Sequence, residues 1–255
     1  MRAMLLAALT LALLAGGADA QRRRGGEGGG DGYLPNVPYD GRFTFVRVRF
    51  TPVGRGDFGF GAGDVRWDHD YPRAERHFTK ILDELTTVAP RSDASNILAL
   101  DDPELFKYPV AYLCEPGFWR PTDAEVESLR AYLLKGGFII FDDFAGNQIY
   151  NLEAQLRRVL PEHRMLPIPI EHPIFDAFYK IESFDGYEHP YSRVQTTFLG
   201  IFENNDPTRR PMAVINYNGD MAEYWEFSDT GWFPIDLSNE SYKLGVNYIV
   251  YALTR

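Results

Sequence analysis

The chain has 255 residues, a formal net charge of −10 at pH 7 and a single cysteine, Cys114. The acidic balance argues against nucleic acid as a partner, since phosphate binding rests on a basic surface. One cysteine excludes an intrachain disulfide, so stability must come from core burial; the length and aromatic content suit one domain of roughly 200–250 residues.

Met1–Ala20 has the pattern of a secretory signal peptide: Arg2 at the start, an apolar run over Met4–Ala15, and the small-x-small sequence Ala18-Asp19-Ala20. The run is about a dozen residues, short of the roughly 20 needed to span a bilayer. No cysteine follows it for lipid attachment. The expectation is an exported protein, periplasmic or secreted, with no transmembrane segment after cleavage. Residues 21–42 read as a linker, Gly-rich over Gln21–Gly32 and carrying the solvated basic cluster Arg22–Arg24. Residues 43–255 read as a single α/β domain.

Phe43–Phe50 alternates in its second half and is rich in β-formers, which predicts a strand. A glycine-rich loop, Gly54–Gly63, follows. Pro72 opens a helix with an apolar stripe at Phe78, Ile81, Leu82, Leu85 and Val88. Ile97–Leu100 and Val110–Leu113 are short strand-like runs. Thr122 and Glu125 have capping-box spacing ahead of Val126, Leu129 and Leu133, and Gly136-Gly137 stops that helix. Phe138–Phe141 is a strand apolar on both faces, ending in Asp142 and Asp143. Ile149, Leu152, Leu156 and Val159 define another helix, stopped by Pro161. Leu166–Glu188 reads as irregular. Thr197–Phe202 and Met212–Tyr217 read as strands, with Ala222–Phe227 expected to pair with the latter through an Asn218-Gly219 turn. Ser241–Leu253 is a final helix. Strands alternating with helices predict a mostly parallel sheet with helices on both faces and antiparallel additions late in the chain.

The run Asp102-Pro103-Glu104-Leu105-Phe106-Lys107-Tyr108-Pro109, then Leu129-Arg130-Ala131-Tyr132-Leu133, Gly136-Gly137-Phe138 and Asp142-Asp143, resembles an uncharacterised bacterial family, domain of unknown function 4159. His172-Pro173-Ile174-Phe175, Leu199-Gly200-Ile201 and Leu244-Gly245-Val246-Asn247-Tyr248 fit the same pattern. The resemblance implies a fold similar to class I glutamine amidotransferases, a flavodoxin-like sheet, and no established activity. Amidotransferases proper use a cysteine on a sharp strand-to-helix turn with a downstream His and Glu. This chain departs from that pattern, so their chemistry is not carried over.

Ligands of open α/β sheets bind at the carboxyl ends of strands. That places the candidate site at Asp142 or Asp143, with Cys114–Glu115 and the Asp64–Asp70 loop around it. Neighbouring residues on an extended backbone point to opposite faces, so one aspartate is expected to face the crevice and the other to cap the helix near Gln148. Glu115 opposes thiolate formation at Cys114, which reads as a buried inert thiol. In the polar run Asp64, Arg66, Trp67, Asp68, His69 and Asp70, two aspartates could share a face as oxygen ligands, Trp67 could stack on a ligand, or Asp70 could cap the helix. The binding candidates are therefore Asp142, Asp143, Asp64, Trp67, Asp68 and His172. Gly54-Arg55-Gly56-Asp57-Phe58-Gly59 matches a dinucleotide fingerprint but does not open into a helix, His172 and His189 lack zinc spacing, and no cofactor or metal is implied. The expectation is a non-catalytic module binding a small ligand or an envelope protein through a degenerate amidotransferase-like site. The alternative is a cell-envelope hydrolase with a strand-end aspartate as general base.

Overall fold

A computed structural model of the chain describes residues 33–52 and 65–255; the segments read as a signal peptide and a glycine-rich linker, the loop 54–63 and Asp64 lie outside them. The strands are β1 (Phe45–Val48), β2 (Ser95–Leu98), β3 (Val110–Cys114), β4 (Phe138–Asp142), β5 (Met165–Pro167), β6 (Thr197–Phe202) and β7 (Pro211–Tyr217). The helices are α1 (Arg73–Leu85), α2 (Asp123–Leu134), α3 (Gln148–Val159), α4 (Met221–Glu226) and α5 (Ile235–Thr254). None of the described helices is long and apolar enough to cross a membrane.

All seven strands form one sheet in the order β2-β1-β3-β4-β7-β6-β5. The first five are parallel, whereas β6 runs antiparallel to both β7 and β5. The parallel part is doubly wound: the chain moves outward from β1 to β2, then returns past β1 to β3, which leaves a crevice at the carboxyl ends of β1 and β3. Alternation along each strand sends Phe45, Tyr112, Ile140 and Val214 to one core, covered by α1, α4 and α5. Ala111, Leu113, Ile139, Phe141 and Ile215 are buried on the other face, where α2 and α3 bring Leu129, Leu133, Leu152 and Leu156. The capping box expected at Thr122 is present in both directions, Glu125 N–H to Thr122 and Thr122 N–H to Glu125.

Three expectations are corrected. Ala222–Phe227 does not pair with β7: residues 221–226 are helical because Asn218 adopts φ 57° and Asp220 accepts the N–H of Glu223, turning the chain into α4. The antiparallel additions expected late in the chain are present, but they come from β6 and from the short β5, Met165–Pro167, which overlaps the start of the segment read as irregular. Ordered structure also begins before Phe43. The Asn36 amide pairs with both Ile97 backbone groups, while the Asn96 amide pairs with those of Val37.

α4 is held from two sides. Trp225 stacks on Phe78 of α1 at 4.3 Å between centroids, and Gly245 of α5 lies so close to both rings that a Cβ would sit 2.6 Å from each. Beside this packing lies a buried ion pair. Arg47 of β1 and Glu75 of α1 are 0 % and 1 % exposed, with Nε 2.5 Å from Oε1. Breaking such a pair leaves an uncompensated charge, so Arg47→Met is expected to cost about 3–5 kcal/mol. Thermal melts check this: a midpoint roughly 10 °C lower, largely restored when Glu75→Leu is added. An equal drop in the double variant would show that the pair does not act as a unit.

Candidate functional site

The register of the central strands builds the site. Cys114 of β3 lies opposite Asp142 of β4, and Glu115 donates its N–H to the Asp142 carbonyl at 3.0 Å. The next residues, Glu115 and Asp143, therefore emerge side by side. Both leave their strands in the left-handed region, at φ 51° and 58°, and Asn218 leaves β7 at φ 57°. Left-handed conformations are uncommon for non-glycine residues and cluster where function over-determines the backbone. Here three adjacent strands carry one each at the same end of the sheet. Arg66 and Asp70, at φ 66° and 65°, extend the set onto the segment preceding α1.

That segment is anchored from below. Arg47 Nη1 donates to the carbonyls of Trp67 and His69 at 3.0 and 2.9 Å. The anchor brings His69 Nδ1 to 3.2 Å from Glu115 Oε1 and 3.6 Å from Asp143 Oδ2. Arg66 Nη1 lies 3.3 Å from the same Glu115 oxygen, its guanidinium over the Phe118 ring. The Cys114 thiol donates to Asp143 Oδ2 at 3.2 Å. Asp143 is also the common member of two further groups, one with Asp70 and Cys114 and one with His189 and Asp220; within each, one potential ligand atom per residue lies within 4.8 Å of the others.

Asp142 has a different part. It is fully buried and accepts from Tyr112 Oη at 2.9 Å, Asn216 Nδ2 at 2.9 Å, and the N–H groups of Met221 and Ala222 at 2.8 and 3.2 Å. Tyr248 Oη donates to Asn216 Oδ1 at 3.0 Å, which completes a polar chain from β3 to α5 beneath the crevice. Asp142 thus holds the start of α4, not α3. At α3, Ala145 donates its N–H to the Gln148 side chain, and the N-cap residue Asn147 makes no side-chain cap bond.

Burial shapes the protonation of this region. Asp142 is pushed up to about 6 by burial, which Asn216 opposes and Asp143 reinforces. Burial, then the Asp143 carboxylate, also raises Glu115 above the usual carboxylate range. The Cys114 thiol is pushed well up by burial and then by Asp143, so it stays protonated. Burial lowers His189, which leaves its imidazole neutral and able to coordinate or accept a proton.

Of the sequence candidates, Asp143 lines the crevice and Asp142 lies beneath it. Trp67 is buried, and its carbonyl is one of the two that Arg47 holds. Asp68 is half-buried in the same turn, its carbonyl accepting from Tyr71. At the start of α1 the Asp70 carbonyl accepts the Ala74 N–H at 2.9 Å. His172 is at the opposite end of the sheet. Its ring packs on Phe202 and Tyr251, its Nδ1 accepts the Ile174 N–H, and Phe202 pairs with Pro211 at the start of β7. His189 and Asp220 were not among the candidates. A capping aspartate three residues before Glu223 was a readable signal for Asp220, whereas nothing local in His189-Pro190 points to Asp143.

Residues 45–253 match the family described as a domain of unknown function, DUF4159, and the chain belongs to that family. No curated protein matches it.

The two aspartates are expected to respond oppositely to neutralisation. Asp142→Asn puts an amide N–H where donors already point and should destabilise by about 1–3 kcal/mol. Asp143→Asn relieves repulsion with Glu115, and asparagine tolerates the left-handed backbone, so in chelator its midpoint should rise by a few degrees, roughly 2–4 °C per kcal/mol. Melts that fall equally in both would remove Asp143 from the crevice. The pH dependence has a defined sign. A carboxyl whose folded pKa is raised binds its proton more tightly in the folded state, so it adds stability as the pH falls through the folded value. The stability gap between wild type and Asp142→Asn should therefore widen between about pH 7.5 and about pH 5. The gap is the quantity to measure by denaturant unfolding, because buried His172 and half-buried His189, with lowered values, act in the opposite direction. A gap that narrows would contradict the assignment.

Proposed function

We propose that this DUF4159 domain is an exported, non-catalytic binding module whose crevice takes a small cationic ligand at Asp143. The observation that carries the reading is the left-handed exit of three adjacent strands at Glu115, Asp143 and Asn218. It turns two carboxylates toward one point, and Asp70 and Asp220 each come within reach of Asp143, in separate groups. Arg66 Nη1 lies 3.3 Å from one of these four acids, Glu115. Carboxylates gathered in a partly desolvated cleft attract positive charge far more strongly than the same groups in water.

The parallel strand order and the crevice at its switch point are in keeping with an amidotransferase-like, flavodoxin-like fold. The site is degenerate in that comparison because the strand-end thiol, Cys114, is buried and held protonated, and the thiolate is the reactive form. The signal-like pattern of Arg2 and Met4–Ala15 supports export to the periplasm or beyond.

A second reading is a cell-envelope hydrolase with Asp143 as general base. The observation in its favour is the 3.6 Å approach of His69 to Asp143, an acid–base pair in a cleft.

The test is a thermal-shift panel of organic cations, neutral sugars and anions on wild type and Asp143→Asn. Amines and amino sugars should stabilise wild type, by about 2.7 kcal/mol at a hundredfold excess over Kd, and leave the variant unmoved. Protection by anions, or protection that survives Asp143→Asn, would sink the binding reading. Turnover of envelope glycans or peptides that vanishes in the variant would establish the hydrolase instead.

A further inference from the structure

Asp143 belongs to two groups of the same composition. On one side stand His69 and Glu115, on the other His189 and Asp220, so each group is one imidazole and two carboxylates with Asp143 in common. We propose that the crevice is a dinuclear site for first-row divalent metal ions, with the Asp143 carboxylate bridging them. The inference rests on the reading of the crevice as a cation site and names the cation.

Distances within the first group fit a coordination shell. Around an ion with bonds of about 2.0–2.1 Å in tetrahedral geometry, neighbouring donors stand about 3.3 Å apart. His69 Nδ1 is 3.2 Å from Glu115 Oε1 and 3.6 Å from Asp143 Oδ2. The second group is looser, its atoms within 4.8 Å of one another. A carboxylate offers two oxygens, and two-metal centres hold their ions about 3.5–4 Å apart, a separation one bridging carboxylate can serve.

The donor set also selects the metal. Imidazole with carboxylate suits Mn2+, Fe2+ or Zn2+, whereas Ca2+ takes six to eight oxygens. The scaffold supplies the outer support that metal ligands require. Arg47 holds the His69 carbonyl, Arg66 holds Glu115, and the Cys114 thiol donates to Asp143. Asp220 is fixed as the cap of α4, accepting the Glu223 N–H at 3.0 Å. The ligands reside on five separate segments: Glu115 and Asp143 follow strand ends, Asp220 caps α4, His69 precedes α1, and His189 comes from the long segment between β5 and β6.

The experiment is equilibrium dialysis of the chelator-stripped full chain against Mn2+, with electron paramagnetic resonance of the loaded protein. Wild type should bind about two equivalents and give the signature of an exchange-coupled pair. His69→Ala and His189→Ala should each retain about one and lose the coupled signal, and Asp143→Asn should bind both ions at least about tenfold more weakly. His172→Asn, altered at the far end of the sheet, should retain the pair. A wild-type count below two, or a coupled signal that survives in Asp143→Asn, overturns the proposal; circular dichroism melts separate lost ligands from lost fold. If wild type binds no Mn2+ while organic cations still protect it through Asp143, the metal pair is wrong and the binding reading stands. If neither binds, both fall.

Discussion

The Arg47–Glu75 pair is the interaction on which the site depends. An arginine in the middle of a central strand, fully enclosed, is costly unless its charge is met and its donors are used. Burial opposes its charge, and Glu75 more than offsets that, so Arg47 remains protonated. Its Nη1 reaches the carbonyls of Trp67 and His69, Nη2 is buried without a hydrogen-bond partner, and its guanidinium lies over the Tyr112 ring at 5.1 Å. One side chain therefore ties β1, α1, β3 and the segment preceding α1 together. The position of the His69 ring against Glu115 and Asp143 follows from a charge that has nowhere else to discharge itself.

Beneath the crevice, consecutive aspartates divide two tasks. Asp142 completes the regular strand, points inward and is consumed by four donors, so it ties α4 to the sheet. Asp143 is one residue further, the backbone turns left-handed, and its carboxylate meets the Cys114 thiol and the His69 ring. The same one-residue step separates inert Cys114 from Glu115 on β3. A buried polar layer, a strained exit and an acidic mouth are stacked within two residues of chain on each of two neighbouring strands.

Much of this frame was legible in the sequence, because hydrophobic period, capping residues and glycine stops report local structure directly. Thr122 with Glu125, the apolar Phe138–Phe141 run and the Thr197–Phe202 strand are such cases. The adjacency of Asp142 and Asp143 drew the reading to this strand end, and the two-residue period implied that their side chains would part; Asp142 turns into the buried layer and Asp143 toward Cys114 and His69. Other features were not legible because they depend on distant segments. Arg47 looks like the polar member of an alternating edge strand; its burial follows from Glu75 and the loop carbonyls. Asn218-Gly219 carries the composition of a hairpin turn, but Asp220 and the buried acceptor Asp142 favour a helix start over a strand. His189 joins the crevice through packing of the long segment between β5 and β6, which no local pattern encodes.

The side-chain pairing of Asn36 and Asn96 bears on how this sheet can associate with other chains. An exposed outer strand offers free N–H and C=O groups to any extended peptide. At the β2 margin the Asn36 amide already occupies both backbone groups of Ile97, imitating a strand without being one. At the β5 margin the strand has only three residues and ends in Pro167, which has no N–H to give. Among the described residues, each rim thus offers an extended peptide fewer backbone partners than an open edge would, which disfavours templated growth and strand addition there.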